Sequence, residues 1–240
     1  MLANIRTVLL NTSHPGNIGA SARAMKTMGL DVLWLVSPKQ FPHAEATARA
    51  SGADDVLQRA TVCRELDEAL EDCQLVVGAS ARSRSIPCPV LDPRAFACLA
   101  YEESTSGKVA ILFGCEQSGL SNAELDRCHY LVQIPVSSVY GSLNLAAAVQ
   151  VLSYELLVAH RPVDGKRPVE VTGQVPVTAG EMRNFFEHLE RTLVELDFLD
   201  PANPRQLMRR LRRLYNRARP DNNEINILHG ILTAAQQARK

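Results

Sequence analysis

A chain of 240 residues has room for one large domain, or one large and one small, and 46% apolar with 22% charged residues is the make-up of an ordinary globular protein. No apolar run approaches the roughly 20 residues needed to cross a bilayer, and residues 1–10 lack the basic lead and long apolar core of a secretory signal. The cytoplasm is therefore the expected location, and a membrane partner is not expected. Six cysteines at 63, 73, 88, 98, 115 and 128 form no CxxC pair and no zinc-like spacing with histidine, so no metal site is expected and most of the thiols read as small buried apolar groups.

Taken in chain order, residues 5–10 form a short β-branched and leucine run, read as a first strand. Residues 17–28 have a helical pattern closed by Gly29, with Asn17 as a candidate cap. Residues 32–36 form a second strand, 45–57 a helix with Gly52 as a weak point, 66–73 a short helix, and 75–77 a strand ending at Gly78. Asp92 and Pro93 open a helix over 92–103. Then follow a strand at 109–113, a short helix at 122–128, a strand at 130–134 and a long helix over 142–160. Strand–helix alternation with nearly continuous apolar strands indicates an α/β fold with a parallel sheet covered on both faces. The 142–160 helix is apolar almost all round and rich in alanine, which suits burial on more than one side and a homodimer.

Residues 161–177 contain three prolines and two glycines and read as a linker between a domain at 1–160 and a helical extension at 178–240. In the extension, Thr178 with Glu181 and Asp221 with Glu224 open two helices. A third is expected from Asn203-Pro204 onward, with Leu207, Met208, Leu211, Leu214 and Tyr215 as its apolar stripe and arginines opposite. Charge is uneven along the chain. Residues 1–160 hold 12 Lys+Arg against 16 Asp+Glu, the remainder 14 against 10, and residues 204–220 carry seven arginines and no acid. A basic face at one end suits a polyanion, so Arg209, Arg210, Arg212 and Arg213, with Arg82 and Arg84, are candidate RNA contacts through phosphate.

Three loops at the carboxyl ends of strands carry the chemistry: 78–82, 114–120 and 134–144. Ligands of open α/β sheets bind at such ends. The glycine-bearing loop at 14–21 has neither G-x-G-x-x-G nor Gly-Lys-Ser/Thr, which disfavours a dinucleotide or a nucleoside triphosphate, although amides at a helix start favour phosphate. No G-x-S-x-G elbow is present, and neither His14 nor His129 is placed to activate a serine, so a hydrolase is disfavoured. Loops rich in small residues and backbone donors suit group transfer by positioning.

The stretches Asn17-Ile18-Gly19-Ala20-Ser21-Ala22-Arg23-Ala24-Met25, Leu112-Phe113-Gly114-Cys115-Glu116 with Gly119-Leu120-Ser121-Asn122, and Ile134-Pro135 with Ser142-Leu143-Asn144-Leu145-Ala146 resemble, in order and spacing, the three motifs of SPOUT methyltransferases that act on RNA ribose 2′-hydroxyls. The opening of the chain and the run from Ser80 to Arg84 resemble more narrowly the bacterial TrmJ type, which modifies the ribose of cytidine or uridine at position 32 of the tRNA anticodon loop. The resemblance implies a SPOUT fold with a deep trefoil knot, an obligate dimer, tRNA as partner, and S-adenosylmethionine held by Ala79, Ser80, Ala81, Gly114, Ile134, Gly141, Ser142 and Leu143. It assigns the acceptor and transfer chemistry to Arg23, Asn17, Ser142, Glu116 and Tyr140. One position departs from the motif, since arginine usually follows the glycine where this chain has Cys115. A non-catalytic RNA-binding dimer that retains the fold is the alternative reading.

Overall fold

A computed structural model describes residues 2–80, 88–139, 141–160 and 176–238. Ala81, Arg82, Arg84, Tyr140 and most of the expected linker lie outside them. In chain order the elements are β1 (Ile5–Leu10), α1 (Pro15–Thr27), β2 (Val32–Val36), α2 (Ala44–Ala50), α3 (Asp54–Gln58), β3 (Thr61–Cys63), α4 (Leu66–Leu70), β4 (Cys73–Ala79), β5 (Val90–Leu91), α5 (Pro93–Glu103), β6 (Lys108–Phe113), α6 (Asn122–Leu125), β7 (Tyr130–Val132), α7 (Leu145–His160), α8 (Ala179–Glu195), α9 (Leu207–Ala218) and α10 (Asn222–Ala238).

The seven strands form one parallel sheet in the order β3-β2-β1-β6-β4-β7-β5. Period-two alternation sends neighbouring side chains to opposite faces. Ile5 and Leu9 of β1, Leu75 and Val77 of β4, and Val109, Ile111 and Phe113 of β6 pack on one face with α1, α5 and α7. Val8, Leu10, Val76, Ala110 and Leu112 pack on the other, with α4 and the α6 region. Burial on both faces explains why these strands read as continuous apolar runs. The last strand, β7, lies between β4 and β5, which are consecutive in the chain, and is parallel to both.

Local boundaries differ from the sequence reading in instructive ways. His14, not Asn17, caps α1, its Nδ1 accepting from the Gly16 amide at 3.2 Å with Pro15 at the first helical position. This frees the Asn17 side chain for tertiary contacts. The expected 45–57 helix is two, broken where Ser51 and Gly52 adopt positive φ. The strands β3 and β5, of three and two residues, were too short to register as apolar runs. The helix α7 begins at Leu145 rather than Ser142, and packs against α1 and α5.

The C-terminal helices bury Met182, Phe185, Phe186, Leu189 and Ile225 with Met208, Leu211 and Tyr215. Both expected capping boxes form. The bundle docks on the sheet domain through Gly180, whose amide donates to the Glu71 carbonyl at 3.1 Å, and through α9. That helix starts at Leu207 instead of Pro204, and its faces are not as expected. Leu214 is exposed, while Arg209, Arg212 and Arg213 are half-buried.

Candidate active site

The strands β6, β4 and β7 are adjacent and parallel, so Phe113, Ala79 and Val132 end at one edge of the sheet. The loops that follow converge on a cleft of about 660 Å³, within the range of small-molecule sites. Of the residues expected to hold the cofactor, Ala79, Ser80, Gly114, Ile134, Gly141, Ser142 and Leu143 all line it. Phe113, Leu120, Val132, Leu145 and Ala148 make its apolar wall. The Ser80 amide donates to the Val132 carbonyl at 3.1 Å, tying the first loop to the strand beneath the third.

Gly114 is where the second loop doubles back. A Cβ there would sit 2.2 Å from the Gly119 carbonyl carbon and 2.3 Å from the Leu120 nitrogen, both backbone, so a side chain cannot be accommodated by rotation. Cys115 and Gly119 bridge across the turn, and the Ser118 hydroxyl lies 3.6 Å from the Cys115 sulfur. Hydrogen bonds from the Ser118 amide and hydroxyl and the Gln117 amide draw the Cys115 thiol below the usual thiol range.

At the rim, one chain of hydrogen bonds joins the three sequence motifs. The Glu116 carboxylate accepts from the Ser13 amide at 3.0 Å, the Ser13 hydroxyl at 2.9 Å, the His14 amide at 3.3 Å and the Asn17 side-chain amide at 2.8 Å. Asn17 Oδ1 accepts from Asn144 Nδ2 at 3.0 Å, and Asn144 Oδ1 accepts from the Ala146 amide at the start of α7. Partial burial pushes the Glu116 carboxyl up, but the Asn17, Ser13 and own-chain donors outweigh it and bring the group down to about 2. Ser13 and Asn144 complete this network. Asn144 falls on a position of the third sequence motif, and Ser13 lies in the opening stretch Thr12-Ser13-His14, where nothing but that membership marked it.

Arg23 is exposed on α1 and does not line the cleft. The expected arginine face divides in two. Arg209 forks onto the Asp126 carboxylate at 2.6 and 3.0 Å. Arg213 donates to the Cys128 and His129 carbonyls at 3.2 and 2.9 Å, and Arg212 lies over the Phe186 ring at 4.7 Å. Arg205, Arg210 and Arg217 face solvent. The amphipathic projection failed because arginine stems pack and their heads pair, so cations can face inward at an interface between polar surfaces. His129, expected to be structural, is buried with its Nδ1 accepting from the Val76 amide at 3.0 Å. Burial first, then Arg219 and Arg213, hold it neutral with a pKa of about 3. Among the described residues there is no cluster able to hold a metal ion.

Residues 4–154 match the family model described as the SpoU rRNA Methylase family, and residues 180–240 match the TrmJ C-terminal domain of tRNA methyltransferases. The tRNA (cytidine/uridine/adenosine-2′-O-)-methyltransferase TrmJ of Pseudomonas aeruginosa is 53% identical, over all of this chain and 96% of its own length. The tRNA (cytidine/uridine-2′-O-)-methyltransferase TrmJ of Pectobacterium atrosepticum is 48% identical over 99% and 98%. The crystal structure of TrmJ from Z. mobilis superposes with a TM-score of 0.84 at 33% identity, covering 95% of this chain and 97% of that one. The parallel sheet, the three motif loops gathered at its edge and the appended bundle are shared along the full length, and the chain belongs to the SpoU methylase family in its TrmJ branch.

Proposed function

We propose that the chain transfers a methyl group from S-adenosylmethionine to the ribose 2′-hydroxyl of cytidine or uridine at position 32 of the tRNA anticodon loop, as a cytoplasmic homodimer. The observation that carries this reading is the bonded chain Glu116–Asn17–Asn144, which brings three distant motifs to the rim of one cleft. The cleft suits the cofactor. It offers apolar surface for an adenine ring from Leu120, Ile134 and Leu145, and a second loop whose turn at Gly114 closes tightly on Gly119 and Leu120 and so holds its main-chain groups in place. Bound there, S-adenosylmethionine supplies an electrophilic methyl on a sulfonium centre.

The residues of the chain then serve by position. Ser142 and Leu143 hold the open side of the cleft, where the sugar must enter in line with the methyl group. Arg23, which lies outside the cleft of its own chain, is assigned to the acceptor side in the proposed homodimer. There it orients the acceptor's phosphate or hydroxyl and stabilises charge developing on the 2′-oxygen, while the hydroxyl proton passes to solvent. Glu116 is a positioning residue. A carboxylate held near pKa 2 by four donors is a poor proton acceptor at neutral pH. What it does is fix Asn17 and the start of α1 against the second loop. Tyr140 stands next to Gly141 in sequence and is assigned to the target nucleotide. The exposed Tyr154 and Ala147 on α7 support self-association. Arg82, Arg84 and the outward Arg210 and Arg217 are assigned to tRNA phosphates.

Mass spectrometry of nucleosides from unmodified tRNA, incubated with the protein and S-adenosylmethionine, tests the proposal. The expected product is a 2′-O-methylated pyrimidine mapped to position 32. Binding of tRNA without cofactor uptake or methyl transfer would instead establish the non-catalytic dimer, the reading that Cys115 in place of the motif arginine favours.

A further inference from the structure

We propose that α9 is a clasp that sets cofactor affinity from outside the cleft, with Arg213, Arg209 and Asn216 as positioning residues. This rests on the reading of the cleft as an S-adenosylmethionine site. The three side chains occupy positions i, i+4 and i+7 of one helix, a spacing that puts them on one face. All of them bind the turn from Asp126 to His129, which joins α6 to β7. Arg209 forks onto the Asp126 carboxylate, and Asn216 Nδ2 donates to the Asp126 carbonyl at 3.2 Å. Arg213 takes the Cys128 and His129 carbonyls and also reaches the Cys88 sulfur at 2.8 Å, just before β5. The helix therefore grips both the entry to β7 and the segment leading into β5, the strands on which the third cofactor loop depends.

The turn is linked onward in unbroken steps. The His129 amide donates to the Val76 carbonyl at 2.9 Å, and the Val76 amide donates back to His129 Nδ1 at 3.0 Å, locking the turn to β4. One strand-length further, the Val132 carbonyl accepts from the Ser80 amide, and Val132 and Ile134 form the cleft wall. With three residues, β7 has few ladder bonds of its own and pairs with a β5 of only two. Its position depends on how firmly the preceding turn is held. Where only a fraction of molecules has β7 seated, the apparent dissociation constant rises by the reciprocal of that fraction. A fixed wall avoids this loss. The bundle is thus part of the cofactor site without touching it, and whatever docks on its outer surface acts on the same lever.

The test uses the full chain with Arg213→Ala, with Arg213→Lys to retain the charge, and with Asp126→Asn, which keeps the side chain's shape and removes the charge that Arg209 pairs with. Arg191→Ala, an exposed arginine of α8, is the control. Calorimetry with S-adenosylmethionine is expected to show affinity weakened about two- to thirtyfold in the clasp variants and unchanged in the control. Steady-state assays should show KM for the cofactor rising while kcat at saturation stays within about twofold. A merely structural role would lower the active fraction and hence kcat, leaving KM alone. Hydrogen exchange gives a readout that needs no cofactor: the Leu131 and Ser80 amides should lose protection in Arg213→Ala. Wild-type affinity and KM in folded variants, or unchanged protection at those amides, would overturn the clasp. A wild-type chain that takes up no sulfonium would instead overturn the reading of the cleft, and the exchange data would still decide whether α9 holds β7.

Discussion

The motif loops and α9 both concentrate polar side chains, yet they use them differently. Around the cleft, Glu116, Asn17 and Asn144 satisfy one another at the rim and leave an open volume with backbone and apolar walls. On α9, Arg209 and Arg213 spend their donors on the neighbouring domain, beside a smaller cleft of about 360 Å³ that the bundle and the sheet domain line together. A polar cluster whose members close on one another marks a site, and one that closes on a neighbouring surface marks a joint. Composition alone does not separate the two.

The comparison can be broken most forcefully at Arg23. Arg23→Ala is expected to lower kcat about 10²–10³-fold with cofactor affinity unchanged, measured by methyl transfer and calorimetry on the same sample. Intact turnover would remove Arg23 from the acceptor side. Gly114→Ala is next. Its methyl meets backbone at 2.2 Å, so the loop must shift, and a displacement of about 1 Å should cost about a hundredfold in transfer together with cofactor binding. A fully active Gly114→Ala would show that the loop yields freely.

On the α9 side, Arg209→Gln leaves the half-buried Asp126 carboxylate without its fork, and unfolding in denaturant should show about 1.5–3 kcal/mol lost. Arg210→Gln and Arg217→Gln should leave stability unaltered and each reduce the salt slope of tRNA binding by about one. Equal salt effects from Arg209 and Arg210 would erase the distinction between joint and contact surface.

The smallest effect expected is on pH. His129 is held at about 3 against an ordinary 6.5, so between those values the unfolded chain binds a proton that the folded chain refuses. Its contribution is fully present above pH 6.5 and declines as pH falls toward 3. Glu116, at about 2 against 4.5, adds a further loss below pH 4.5 as the unfolded carboxylate protonates first. Denaturation midpoints at pH 7 and 5 should therefore lie closer together in His129→Gln than in wild type.

Much of the fold was legible in the sequence because the central strands are buried on both faces and read as plain apolar runs. The capping pairs Thr178–Glu181 and Asp221–Glu224 were equally clear, being local chemistry. What escaped depends on tertiary partners. The strand β5 exists because β7 is there to pair with it, and His14 displaced Asn17 from the cap because Asn17 had a better partner in Glu116. The direction of the α9 arginines was hidden because helical projection ranks side chains by polarity, whereas Asp126 and the Cys128 and His129 carbonyls make a polar surface for them to face inward upon.

Insertion of β7 between β4 and β5 has a consequence for assembly. Its two neighbours come earlier in the chain, so the gap between them must open or wait until residues beyond 130 arrive. Pairings of such long sequence separation form slowly. A nascent chain can complete the outer half of its sheet on the ribosome, but the methyl-donor pocket takes shape only once the newest segment has been drawn into place. Acquisition of cofactor binding then reports, in a refolding experiment, the final step by which this molecule becomes itself.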